Sequence, residues 1–224
     1  MSTKTKKSAA PTLAVESVSR QPLQGRSRAS FERMLSAARE LMLETGSEDF
    51  TLSEVSRRGN VSIGSIYLRF ESKENLVRAL IANTLEDVAR HEEAMIQKVR
   101  ESSTSLDQFV PRYVEGYAEV LREHAPLLSL AMQRASYDPL VSGPGKLHAA
   151  ASASAGTSAM LEFADEIGGR DAATKANSAY HVIFATLARE LSLGSTRESA
   201  ENYDWDLLKR ELGRMCLAYL KANG

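Results

Sequence analysis

The stretch TLSEVSRRGNVSIGSIYLRFESKENLVRAL, residues 51–80, decides how the rest of the chain is read. Thr51 is followed three residues later by Glu54, the pattern of a capping box, and Phe50 and Val55 flank it at the positions of a hydrophobic staple. A helix therefore starts at Leu52. Gly59-Asn60 stops it after about two turns, because both residues tolerate the positive φ of a tight turn. Ser62 offers a second N-cap, with Val61 and Ile66 as its staple. Ser72 offers a third, opening a long helix through Leu76, Leu80, Leu85, Val88, Met95 and Val99. Three helix starts fall within 22 residues, and a turn of about three residues joins the two short helices. That is the spacing of a helix-turn-helix.

The second short helix, Ile63 to Phe70, has two unlike sides. At 100° per residue Ile66 and Phe70 project within about 40° of each other, and Val61 joins them to form an inward face. Gly64, Ser65 and Leu68 point away from it, with Ile63 and Tyr67 on the flank. A face that is small near its start and carries a tyrosine hydroxyl can enter the B-DNA major groove, which is about 12 Å wide. Helix starts after Thr51, Ser62 and Ser72, with Lys73 in the first turn of the next helix, supply phosphate-binding groups, and Arg28, Arg57, Arg58 and Arg69 add cations. Each residue also has a plainer reading. The serines cap helices in any case, Tyr67 suits a half-buried aromatic, and Lys73 a solvated charge. Their joint occurrence carries the inference.

Upstream, Phe31, Met34, Leu35, Ala38, Leu41 and Met42 form one helical stripe closed by Gly46. Residues 1–27 lack apolar periodicity and read as a flexible basic tail, with Lys4, Lys6, Lys7, Arg20 and Arg26 against Glu16. Downstream, segments 105–124, 125–136, 146–168, 171–193 and 204–222 are helical, with Asp138-Pro139, Ser142-Gly143-Pro144-Gly145, Gly168-Gly169 and Gly194-Ser195 among the separators. The Ala/Ser run at 149–160 predicts a helix with a thin side-chain coat, able to pack closely on a neighbour. No strand pattern and no repeat stands out, so the expected class is all-α.

Composition fits one large or two small domains. The chain has 224 residues, 43% hydrophobic and 25% charged, enough to bury a core without staples. No apolar run approaches the ~20 residues that span a bilayer, and the first residues lack the apolar stretch of a secretory signal. With a single cysteine, Cys216, no intrachain disulfide can form. A cytoplasmic protein with no membrane partner is expected. The net charge of −1 conceals an asymmetry: residues 1–80 hold 13 basic and 9 acidic residues, residues 81–224 hold 15 and 20. A positive front end suits an anionic partner.

Catalytic patterns are lacking. His91, His124, His148 and His181 show no metal-ligand spacing, and GxSxG, GxGxxG and Walker loops do not occur. His91-Glu92-Glu93 reads as a solvated helix face and Cys216 as an inert buried thiol. The expectation is no enzyme, no catalytic residue, no metal and no cofactor.

The string 51–80, with FERMLSAARELMLETG before it, resembles the N-terminal helix-turn-helix of the TetR/AcrR (tetracycline-repressor-like) family of transcriptional regulators. The combination of Val61-Ser62, Tyr67, Phe70 and Lys73 carries the resemblance, which covers about residues 28–80; beyond that it is architectural. It implies a three-helix DNA-binding domain over 28–75 and a larger helical effector-binding and dimerisation domain over 76–224. It places Ile63, Gly64, Ser65 and Tyr67 at base or adjacent backbone contacts, and Thr51, Ser53, Ser62, Tyr67 and Lys73 at phosphates. The family has Ala-Gly where this chain has Gly59-Asn60, and Asn is the next-best residue for a left-handed backbone.

The implied partners are a double-stranded palindromic DNA operator, a second copy of the chain and a small hydrophobic effector that releases a repressor from DNA. Trp205, Leu208, Leu212, Met215 and Tyr219 repeat with 3-4-3-4 spacing, a seam for another helix, and Ala179, Ile183 and Leu187 offer its counterpart. Ile183, Leu187, Leu208, Leu212, Met215 and Tyr219 are thus candidate dimer contacts, although the same stripes would serve their own core. Tyr113, Tyr117, Met132, Phe163, His181 and Phe184 are candidate effector contacts in the bundle interior, where ordinary core packing is the alternative. Two rival functions stay open: an all-helical small-molecule-binding dimer without DNA readout, and a cofactor-free enzyme.

Overall fold

A computed structural model of the chain describes residues 25–193 and 204–223. Apart from its last residues, the expected tail lies outside them, as does the Gly194-Ser195 separator. The described residues form α1 (Gly25–Thr45), α2 (Leu52–Arg58), α3 (Ile63–Arg69), α4 (Lys73–Glu101), α5 (Leu106–Ala135), α6 (Pro139–Leu161), a 3₁₀ turn (Ala164–Glu166), α7 (Ala172–Glu190) and α8 (Trp205–Lys221), with no strand among them. No helix among them is long and apolar enough to cross a membrane. The fold is all-α, with helix-turn-helix geometry at its front.

The chain divides into two compact units. The first holds residues up to Asn83 together with Arg134–Lys146. Its core is the predicted α1 stripe packed on Val55, Val61, Ile66, Phe70 and the start of α4 at Leu76, Val77 and Leu80, all buried. Gly46, at φ +62, ends α1 in the left-handed conformation expected just past a helix. The α5–α6 junction adds a polar knot. Arg134 is buried; it donates to Glu48 at 2.5 Å and to Asp138 at 2.9 Å, and Asp138 also accepts from Arg78 at 2.8 Å. Burial opposes ionisation of Asp138, but the hydrogen bonds from the two arginines hold its carboxyl below the ordinary range.

The second unit comprises Thr84–Gln133 and the chain from Leu147 onward. Its core runs along α5 through Phe109, Val110, Tyr113, Val114, Tyr117 and Leu121. Two predicted breaks are absent. α5 is one helix through Pro111 and Pro126, not two segments meeting at 124/125. A proline inside a helix costs about 3 kcal/mol and one hydrogen bond, and here Leu121, Ala125, Leu127 and Leu128 bury the helix around Pro126. α6 likewise runs from Pro139 straight through Ser142-Gly143-Pro144-Gly145. Pro139 takes the first helical position, where its missing N–H costs nothing, and the Asp138 carboxylate accepts from Leu140 N at 3.1 Å.

Close packing of the Ala/Ser run on a neighbour is found. A Cβ at Gly156 would overlap the Tyr113 hydroxyl and lie 2.8 Å from the Tyr180 ring.

Candidate nucleic-acid interface and bundle cleft

The turn region is fixed by reciprocal caps. Thr51 Oγ1 accepts from Glu54 N at 3.2 Å, while Thr51 donates to the Glu54 carboxylate from its backbone N–H (2.7 Å) and its hydroxyl (2.8 Å). These donors hold the Glu54 carboxyl below its ordinary range. Ser62 accepts from Ser65 N at 3.0 Å to cap α3, and Ser72 accepts from Asn75 N at 3.3 Å to cap α4. Asn60 takes the left-handed conformation, φ +47. Gly59 is needed for another reason: its φ is −79, but a Cβ there would meet Arg33 O at 3.0 Å and Val55 O at 3.1 Å. Glycine lets α2 end against α1, and Arg33 Nε donates to the Gly59 carbonyl at 3.2 Å.

α3 shows the two predicted sides. Ile66 and Phe70 are fully buried and Val61 nearly so; Ile63 is 40%, Tyr67 59% and Leu68 65% exposed. Of the eight candidate DNA contacts, Thr51, Ser53, Ser62, Ile63, Gly64 and Tyr67 are exposed, and Ser65 and Lys73 half-buried. The Lys73 ammonium lies over the Phe50 ring. Several of the surrounding cations already have partners. Arg58 bonds both carboxylate oxygens of Glu44, Arg28 pairs with Glu32, and Arg69 lies over Phe31.

In the second unit the six candidate effector contacts differ in exposure. Tyr113 and Tyr117 are 1% exposed and stacked in series with Phe109; Phe163 and Phe184 pack against the same core. Met132 and His181 face outward, His181 Nδ1 lying 2.8 Å from Asn177 O. Tyr113, Tyr117 and Phe184 lie on helices of the core, and Phe163 on the turn that follows α6. A cleft of about 820 Å³ opens elsewhere, between α4 and α6, lined by Glu92, Ile96, His148, Ser152, Ala155 and Ala159 among others.

Glu92 is not solvated as expected; it is 6% exposed. Burial raises its carboxyl to about 7, against a lowering hydrogen bond from Ser152. Ser152 also lies 2.9 Å from the Tyr180 hydroxyl, which is 3.0 Å from that of Tyr117. Burial lowers the pKa of His148. The signal for Glu92 was its place on the inward stripe with Val88, Met95 and Val99.

The dimer candidates divide as well. Ile183, Leu187 and Leu212 are buried inside the unit's own core, and Leu208 is partly buried against it. That side of α8 faces α5, where Gly213 would bring a Cβ 3.3 Å from Pro111 Cα, and the ammonium of buried Lys209 bonds Glu115 and Glu119, each at 2.7 Å. Met215 (60%) and Tyr219 (44%) face outward, as does Val182 (52%) on α7.

Comparison with known proteins agrees with this geometry. Residues 34–80 match the family model of bacterial regulatory proteins, tetR family. No curated protein matches the chain in sequence. Among solved structures, a regulator assigned to the TetR family from Mesorhizobium loti superposes with a TM-score of 0.67 at 18% identity, over 89% of this chain and 97% of that one. A TetR/AcrR-family transcriptional regulator from Aquifex aeolicus gives 0.59 at 19% identity over 83% and 96%. The fatty acid degradation regulator FadR of Bacillus halodurans gives 0.61 at 16% identity over 88% and 97%. At these identities the superpositions speak for the fold, and the family match speaks for the helix-turn-helix. The chain carries the N-terminal domain of the tetR family of bacterial regulatory proteins on the fold of that family's regulators.

Proposed function

We propose that the chain is a ligand-responsive transcriptional repressor that binds a palindromic operator as a dimer through α3 and leaves it when a small molecule binds. The observation that carries this reading is the outward face of α3: Tyr67 and Leu68 are more than half exposed on a helix whose other side is fully buried. One such helix is about 10 Å long and reads a few base pairs. Two copies on half-sites about 34–36 Å apart supply useful specificity. The outward residues Val182, Met215 and Tyr219 are the surface we assign to the second copy.

The cleft between α4 and α6 is the effector site in this reading. Alanines and Ile96 offer apolar walls, and Glu92, Ser152 and His148 offer the few polar groups that orient a small, mainly hydrophobic ligand. An effector acts only through unequal affinity for the DNA-bound and released states.

A small-molecule-binding dimer without DNA readout is the second reading, favoured by the pairing of Arg28 and Arg58 with glutamates. Selection of genomic fragments by the full-length protein separates the two. The first reading expects enriched inverted repeats whose binding weakens steeply between about 50 and 200 mM salt. Enrichment of no common sequence overturns it.

A further inference from the structure

Apart from the DNA face and the cleft, α4 and α5 bring together three metal-ligating side chains. His91 Nδ1 lies 2.8 Å from His124 Nε2 and 3.8 Å from Glu123 Oε2. All three ligand atoms fall within 4.8 Å of one another. The two rings are 33 residues apart in sequence, so no local spacing announces them.

Two imidazole nitrogens at this distance share one proton, because only one of them can be the donor. A cation can take that proton's place and use both lone pairs. Around tetrahedral zinc, with Zn–N near 2.0–2.1 Å, two ligand nitrogens stand about 3.3 Å apart, so the rings need to part by roughly half an ångström. The groups that must move are able to. The side chains of His91 and Glu123 are 40% and 64% exposed, whereas His124 is buried and gives a fixed ligand. The arginines next in sequence are drawn to other carboxylates, Arg90 to Asp87 and Arg122 to Glu119.

We propose that His91, His124 and Glu123 form a site for one divalent transition-metal ion of the zinc type. Two imidazoles and one carboxylate suit zinc, cobalt or nickel; magnesium and calcium prefer all-oxygen sets. Three protein ligands leave a fourth position for water or another ligand. The bound ion cross-links α4 to α5.

The test uses full-length protein stripped with EDTA and titrated with Co(II) and Zn(II). One ion per chain is expected, with visible Co(II) bands of low-coordinate type that Zn(II) displaces and a rise in thermal midpoint with Zn(II). His124→Ala opens a buried position, so the deciding variants are His91→Ala and Glu123→Gln, at partly exposed sites. Each is expected to bind at least about tenfold more weakly with unchanged helical circular dichroism. His181→Ala, on α7, is expected to bind as the unaltered protein does. The proposal fails if the unaltered protein takes up no stoichiometric ion at about 100 μM Zn(II), if both deciding variants bind within about threefold of it, or if His181→Ala abolishes binding.

Discussion

The Lys73 ammonium stands 5.0 Å from the centre of the Phe50 ring, so the first residue of α4 is held against the residue that precedes the α2 cap. Ring and ammonium attract each other through the ring quadrupole, and the charge stays beside the turn. Replacing Lys73 by Ala is expected to weaken operator and unrelated DNA about equally and to lower the salt slope by about one. Fluorescence anisotropy over a salt series measures both. An unchanged slope removes Lys73 from the phosphate contacts.

Tyr67→Phe isolates the hydroxyl. At 59% exposure the ring owes little to folding, so the thermal midpoint is expected to stay constant. Operator affinity should drop by about two- to tenfold, the range of a net hydrogen bond worth ~0.5–1.5 kcal/mol. Equal affinity for both proteins would falsify the contact.

For the dimer the informative substitution is Met215→Glu rather than Leu212→Arg. Leu212 is 1% exposed, and a charge there unfolds the unit whatever the quaternary state. Met215 is 60% exposed, so glutamate leaves the fold intact and is expected to give monomers by multi-angle light scattering. A persisting dimer moves the interface to another face.

Glu92 makes stability depend on pH. Its carboxyl is carried from 4.5 to about 7 in the folded chain. Between these values the folded state keeps a proton that the unfolded state has lost. The favourable contribution is therefore complete below pH 4.5 and disappears as pH rises through 7. It amounts to at most about 3 kcal/mol, at ~1.4 kcal/mol per pH unit. Urea unfolding at several pH values should show this decline in the unaltered protein and a flatter profile in Glu92→Gln. Identical profiles would contradict the burial argument.

Gly59→Ala places a Cβ against two backbone carbonyl oxygens, of Arg33 and Val55, which cannot step aside as a flexible side chain can. A loss of about 1–3 kcal/mol in unfolding free energy is expected, the usual range for overpacking. Asn60→Gly, at φ +47, is expected to be near neutral or stabilising, since glycine adopts that conformation freely.

The front of the molecule was legible because its signals are local. Thr51 with Glu54, Ser62 with Ser65 and the Ile66–Phe70 face all act within one helical turn, so the string itself states them. The rest depends on what distant helices do. The helix runs on through Pro126, where Leu121, Ala125, Leu127 and Leu128 bury the flanking turns, and through Pro144, where no such burial accounts for it. The 3-4 seam of α8 suits a second chain and the chain's own core alike, and Leu212 lies in that core. Glu92 was hidden in an apparently polar run although its periodicity put it inside, and only the meeting of α4 with α6 gives it a cleft. His91 and His124 meet across two helices, beyond the reach of any spacing rule.

In the α2 cap, the Thr51 N–H and hydroxyl both already point at the carboxylate of Glu54. A duplex phosphate drawn to Thr51 does not dock on a vacant donor; it evicts a tethered anion. If α3 reads DNA as proposed, Glu54 competes with the phosphate at very high local concentration, tilting this corner against any polyanion that merely drifts by. Only a strand anchored at several other points at once can sustain the exchange, which would make the cap a filter for register as well as a helix start.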